Sequence, residues 1–240
     1  TGFNDALREC ANYALQTRPD KSKPTVFISY AWPEPTHVNY QLQLMHAETV
    51  AQLSEQLEMA GFTIYLDIWH DVKGKNISDF IETLLRADFV LIIGTHHYIE
   101  KYQKSSQAQT ADHVLQTELY FVSHLLRYSK ETRNRIITVL LEGTIEESLP
   151  VTLHPKTPVD FVKNDRYKET LLLISAMHQF DVRDDRMVAI MAQFDALRKK
   201  IDLESPAQLA SLYASSIDTL FTHREPERSK LISPRLQAKL

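Results

Sequence analysis

Five short runs of apolar, β-forming residues alternate with stretches of helical periodicity, and this alternation leaves few folds open to the chain. The runs are TVFISYAW (25–32), FTIYLDIW (62–69), DFVLIIGT (88–95), RIITVLLEG (135–143) and TPVDFV (157–162). Between the first two, Val50, Leu53, Leu57 and Ala60 mark an amphipathic helix over 46–60, with Gly61 placed to end it in a left-handed turn. Ile77, Phe80, Ile81, Leu84 and Leu85 mark a second helix behind an Asn76 N-cap, and Leu115, Leu119, Val122 and Leu126 a third over 114–128. A further helix over 166–179 follows the fifth run. Strands joined through helices pair in parallel, and right-handed crossovers wind them outward from the first strand in both directions. The expected architecture is therefore α/β: a doubly wound five-stranded parallel sheet of order 2-1-3-4-5. DFVLIIGT, apolar on both faces, is an interior strand.

This is a flavodoxin-like topology spanning 25–180. Residues 1–24 read as an N-terminal helix (4–16) and a polar, proline-containing linker, RPDKSKP. Residues 181–240 read as a C-terminal helical extension, with apolar spacing over 184–202 and 206–221 and a charged tail from 224. Thr rather than Met at position 1 reads as a fragment or a processed chain. The net charge of −4 argues against nucleic-acid binding, and no apolar run reaches the ~18–20 residues of a membrane span. A single cysteine, Cys10, allows no intrachain disulfide and fits a reducing, cytoplasmic compartment. The five glycines are too scattered for a phosphate-binding loop, a dinucleotide fingerprint or a nucleophile elbow. Kinases, P-loop NTPases, Rossmann dehydrogenases and serine hydrolases are thereby set aside.

In an open α/β sheet, ligands bind beyond the carboxyl ends of the strands, where the winding direction reverses. Here that point lies between strands one and three, so candidate residues fall in 29–40, 66–78 and 94–118. The first segment carries Ser29, Tyr30, Ala31 and Trp32; the second, Asp67, Trp69, His70, Lys73 and Gly74; the third is a loop leading to a helix that bears Glu118. Ser29 and Tyr30 stand where a phosphoacceptor domain would need acidic residues, and WPEPTHVNY is no flavin phosphate loop. Glu118 shares the apolar stripe of Leu115 and Val122, where an unpaired carboxylate is costly. It either faces the crevice, caps its own helix or pairs with a neighbour such as Arg127. Ten histidines, with His96 and His97 adjacent and His113 and His124 downstream, lack any ligand spacing, so no metal is expected.

FISY (27–30), YLDIWHDVKGKNI (65–77), VLIIGTHHY (90–98) and IITVLLEG with SLP (148–150) together resemble, in order and spacing, the box 1, BB loop, third strand and fourth strand of TIR (Toll/interleukin-1 receptor) domains. The T-x-x-Y after strand three is closer to the bacterial TIR and SEFIR variants. The resemblance covers 25–180. It implies that Glu118 is the catalytic glutamate of an NAD+ glycohydrolase, releasing nicotinamide and ADP-ribose or a cyclic product. It also implies that Ser29, Tyr30, Ala31 and Trp32 line one side of the substrate site and Asp67, Trp69 and His70 the other. NAD+ is then a substrate and no cofactor is needed. The setting would be signalling, in the cytoplasm or, for a secreted effector, the host cytosol. The chain departs from the family in carrying Val114 where a Trp often stands, Ala31 and Trp32 where some members have Arg, and a long gap from Tyr98 to Glu118. The resemblance equally allows a non-catalytic adaptor that self-associates, or binds other TIR-like domains, through the loop 68–76, with Trp69 as an exposed anchor. A small-molecule sensor of the same fold is a third possibility.

Overall fold

A computed structural model describes residues 2–17, 22–66, 77–107, 122, 130–181 and 183–202. Helix α1 (Gly2–Thr17) precedes strand β1 (Thr25–Ser29), α2 (Tyr40–Met59), β2 (Thr63–Leu66), α3 (Ile77–Arg86), β3 (Phe89–Gly94) and α4 (His96–Gln107). A short α5 (Lys130–Arg135) leads into β4 (Ile136–Leu140), α6 (Ile145–Ser148), β5 (Val159–Asp160), α7 (Arg166–His178) and α8 (Asp185–Asp202). The five strands form one all-parallel sheet in the order β2-β1-β3-β4-β5, as the alternation of runs and helices requires.

Alternation along the strands divides the core in two. Val26, Ile28 and Tyr30, with Leu91 and Ile93, face one side, against buried residues of α1, α2, α7 and α8. Phe27 and Ala31, with Val90 and Ile92, face the other, against Leu84 of α3, Tyr98 of α4 and Leu149. The two strands also meet edge to edge at their starts. The Asp88 carboxylate accepts from the Thr25 N–H and hydroxyl at 2.7 and 2.8 Å, and the Asp88 N–H donates to the Thr25 hydroxyl.

The helix flanking the sheet at the N-terminus belongs to the first of these cores: Leu7 and Cys10 are fully buried, and burial raises the Cys10 thiol to about 11, leaving it unreactive. Arg186 fixes α8 to α1 by donating to Glu9 through two nitrogens, at 3.1 and 2.7 Å, and to Gln16 at 2.6 Å.

Gly61 ends α2 as its place in the sequence predicts. Its φ is +94°, its N–H donates to the Glu58 carbonyl, and the Phe62 N–H reaches back to Leu57. An added Cβ would also press on Ala11 of α1 at 3.3 Å. Gly61→Ala should therefore lower stability by about 1–2 kcal/mol. Urea denaturation checks this, and an unchanged midpoint would show that the turn tolerates a side chain.

Three sequence expectations are corrected. Strand one stops at Ser29, not Trp32; Tyr30 to Trp32 continue past the ladder and are placed by side-chain burial and the prolines that follow. The helix expected from 46 begins at Tyr40, because Gln43 is buried and tied at both ends: its carbonyl accepts from the Tyr30 hydroxyl and its side-chain oxygen from the Glu34 N–H. The segment after strand three, expected as a loop, holds α4. Its sequence, HHYIEKYQKSSQ, carries no sustained apolar stripe, so periodicity gave no sign of it. The expected Asn76 cap, the helix over 114–128 apart from Val122, the helix over 206–221 and the tail lie outside the described residues.

Candidate functional site

The carboxyl ends of β1 and β3 meet the start of α4. Thr95 caps that helix: its hydroxyl and its carbonyl both accept from the Tyr98 N–H, at 3.1 and 3.0 Å. The T-x-x-Y spacing is thus a capping device, and it buries the Tyr98 ring with its hydroxyl 3.3 Å from that of Ser29, across to β1.

Two polar groups flank this point. In the first, the Trp32 carbonyl accepts from His97 Nε2 at 3.1 Å and from Lys101 Nζ at 3.2 Å, while Lys101 also pairs with Glu34 at 3.1 Å. A carbonyl only accepts, so His97 carries its proton on Nε2 and bares the lone pair of Nδ1, a buried nitrogen with no hydrogen-bond partner. His37 has the same tautomer for a different reason. Its Nδ1 accepts from the Asn39 N–H, so Nε2 donates to the Glu100 carboxylate at 2.9 Å. The two imidazoles meet edge to face with centroids 5.0 Å apart.

In the second group, Glu142, just beyond β4, receives the free backbone N–H of His96 at 3.1 Å and lies 2.9 Å from His96 Nδ1. A carboxylate at a helix N-terminus is favoured by the macrodipole. His46 of α2 stands 3.9 Å from the same carboxylate, and its pKa is lowered, chiefly by burial, against the opposing pull of Glu142. Gly143 follows with φ +62°; a Cβ there would come within 2.6 Å of His96 Nε2, so the close approach of ring and loop depends on glycine.

Burial, followed by the nearby Lys101 charge, pushes His97 down to about 4 from an ordinary value near 6.5. Glu34 and the Trp32 carbonyl oppose that shift, and His37 adds to it. The native state is then neutral at His97 where the unfolded chain already binds a proton. Stability is intact above pH 6.5 and falls as the pH drops toward 4, by up to about 3 kcal/mol from this residue. Urea denaturation at pH 7.5 and 4.5 should show a steeper loss for the wild type than for His97→Asn. Equal losses would remove His97 as the cause.

Of the residues expected at the site, the structure describes four. Ser29, Tyr30 and Ala31 have buried side chains, whereas Trp32 is partly exposed and packs edge-on against Tyr30 at 5.3 Å. Burial raises the Tyr30 phenol well above its ordinary value. Asp67, Trp69, His70 and Glu118, together with the loop 68–76, lie outside the described residues. Val122, four positions after Glu118 in the sequence, is helical and 1% exposed, in the same buried cluster as Ala31 and Tyr98. Sequence reasoning did not single out His37, Glu100, His46 or Glu142. His37 and Glu100 fall inside the segments marked as candidate loops, but no spacing joins residues 63 positions apart.

A family model described as TIR domain matches residues 26–174. A solved structure described as a prokaryotic SEFIR domain is similar at 23% identity with a TM-score of 0.47, covering 65% of this chain and 99% of its own. No curated protein matches the chain.

Proposed function

The chain belongs to the TIR-domain family, and from that footing we propose that it cleaves NAD+ at the nicotinamide–ribose bond with Glu118 as the catalytic carboxylate. The observation that carries this reading is Val122. The stripe Leu115–Glu118–Val122 follows from spacing alone, and its one described member is helical and buried in the cluster that also holds Ala31 and Tyr98.

The chemistry asks for little more than one well-placed negative charge. Nicotinamide leaves as a neutral base, so the departing group needs no proton. The ribose C1 becomes oxocarbenium-like as the C–N bond breaks, and a carboxylate held in a crevice stabilises that charge and orients the ribose hydroxyls. Water attacking C1 and losing a proton gives ADP-ribose; attack by the adenine gives a cyclic product. Trp32, Trp69 and His70 would stack on the rings of the substrate, with Asp67 and the backbone of Ser29, Tyr30 and Ala31 shaping the walls. A cytoplasmic setting, where NAD+ is abundant, fits this role. No helix among the described residues is long and apolar enough to cross a membrane.

The experiment is incubation of the purified chain with NAD+ and chromatographic detection of nicotinamide, at low and at high protein concentration because TIR domains act on one another when clustered. Release at either concentration is the expected result, and none at both would overturn the proposal.

A second reading is favoured by a specific observation. Three of the four described candidate contacts are buried, while Val38, Leu42 and Met45, at the start of α2, are exposed. On this reading the chain is an adaptor that binds other TIR domains or itself. Light scattering that detects only monomer at high concentration, with and without NAD+, would count against it.

A further inference from the structure

We propose that His37, His97 and Glu100 form a binding site for a divalent transition-metal ion of the zinc type. One ligand atom from each of the three lies within 4.8 Å of the other two. Two imidazoles and a carboxylate are a donor set that suits zinc and its neighbours, with a fourth position left open. His97 supplies the independent sign. It is 5% exposed, its Nδ1 lone pair has no partner, and its other nitrogen is held by the Trp32 carbonyl. Backbone carbonyls hold metal-binding histidines in this manner, fixing tautomer and ring orientation.

His37 would shift its proton from Nε2 to Nδ1, freeing Nε2 for the ion. That shift gives up the bond from the Asn39 N–H, and Asn39 is exposed, so water can take its place. Glu100 then binds the ion in place of the His37 proton. The ligand atoms must close to roughly 3.3 Å apart around an ion at about 2.0–2.1 Å. The side chains of His37 and Glu100 are 13% and 41% exposed, which leaves them an approach from solvent. Among the described residues, the charges facing the site are Glu100, Glu34 and Lys101, a net of one negative before the ion enters.

The test is calorimetric titration of the tag-free, metal-stripped 240-residue chain with Zn2+, alongside Glu100→Gln, His37→Gln and His96→Gln. The wild type should bind one equivalent and gain about 5–10 °C in melting temperature at a Zn2+ concentration a hundredfold above Kd. Co2+ in place of Zn2+ should show the visible bands of a tetrahedral ion. Glu100→Gln and His37→Gln should lose both effects while keeping the melting temperature of the metal-free wild type. His96→Gln, which alters the neighbouring Glu142 group, should keep them. No binding by the wild type would overturn the proposal, as would undiminished binding by the first two variants or loss confined to the third. None of these outcomes depends on NAD+ cleavage.

Discussion

Replacing Glu118 by Gln should lower nicotinamide release by 100- to 1,000-fold while leaving the melting temperature within about 2 °C of wild type. The amide keeps the shape of the side chain and can still hydrogen-bond to a ribose hydroxyl, so only the charge is removed. A preorganised charge opposite a developing cation contributes roughly 3–4 kcal/mol to the transition state. The same charge is much less useful to the ground state, in which the ribose C1 carries little positive charge, so the loss should appear mainly in kcat. The measurement is nicotinamide release by both proteins beside their melting curves. An active wild type whose variant keeps its full rate would show that another group carries the reaction. In that case Glu142 becomes the next carboxylate to test, because it lies at the carboxyl end of the sheet, between His46 and His96.

Replacing Tyr30 by Ala should cost about 3–5 kcal/mol of stability, a fall of roughly 6–20 °C in melting temperature. The side chain is 2% exposed, sits in the core against α2, donates from its hydroxyl to the Gln43 carbonyl at 3.1 Å and meets Trp32 edge-on. Truncation would open a cavity at the point where strand one gives way to the loop toward α2. Any activity lost with it would be lost through folding. Tyr30→Phe separates the two roles. It keeps the ring and removes one buried donor, while the Gln43 carbonyl, inside α2, keeps its helical hydrogen bond, so the cost is about 0.5–1.5 kcal/mol. NAD+ cleavage by the folded Phe variant should stay near the wild-type rate. If that variant is folded but inactive, the phenol acts on the substrate and its burial describes only the unliganded protein.

The topology was written in the sequence, because it follows from local signals that add along the chain. Five apolar runs of strand length, separated by helices, can close only as a parallel sheet, and right-handed crossovers then fix the order 2-1-3-4-5. The two-faced burial of Phe89–Gly94 and the left-handed turn at Gly61 are likewise properties of a few consecutive residues. The family was legible in the same way, from four motifs in order, whereas Glu118, read from one stripe, lies outside the described residues. Helix α4 was not, because a cap at Thr95, the buried Tyr98 and the partly buried Tyr102 hold it in place of a periodic apolar face. Nor was the meeting of His37 with His97 and Glu100, or of His46 with His96 and Glu142. His96, His97 and Glu100 share the start of α4, His46 belongs to α2, and His37 and Glu142 lie in loops, so no sequence spacing joins them. What brings them together is the packing of α2 and α4 on opposite faces of the sheet, with the loops after β1 and β4 drawn in between them. That is a property of the folded tertiary structure, and no stretch of sequence a dozen residues long contains it.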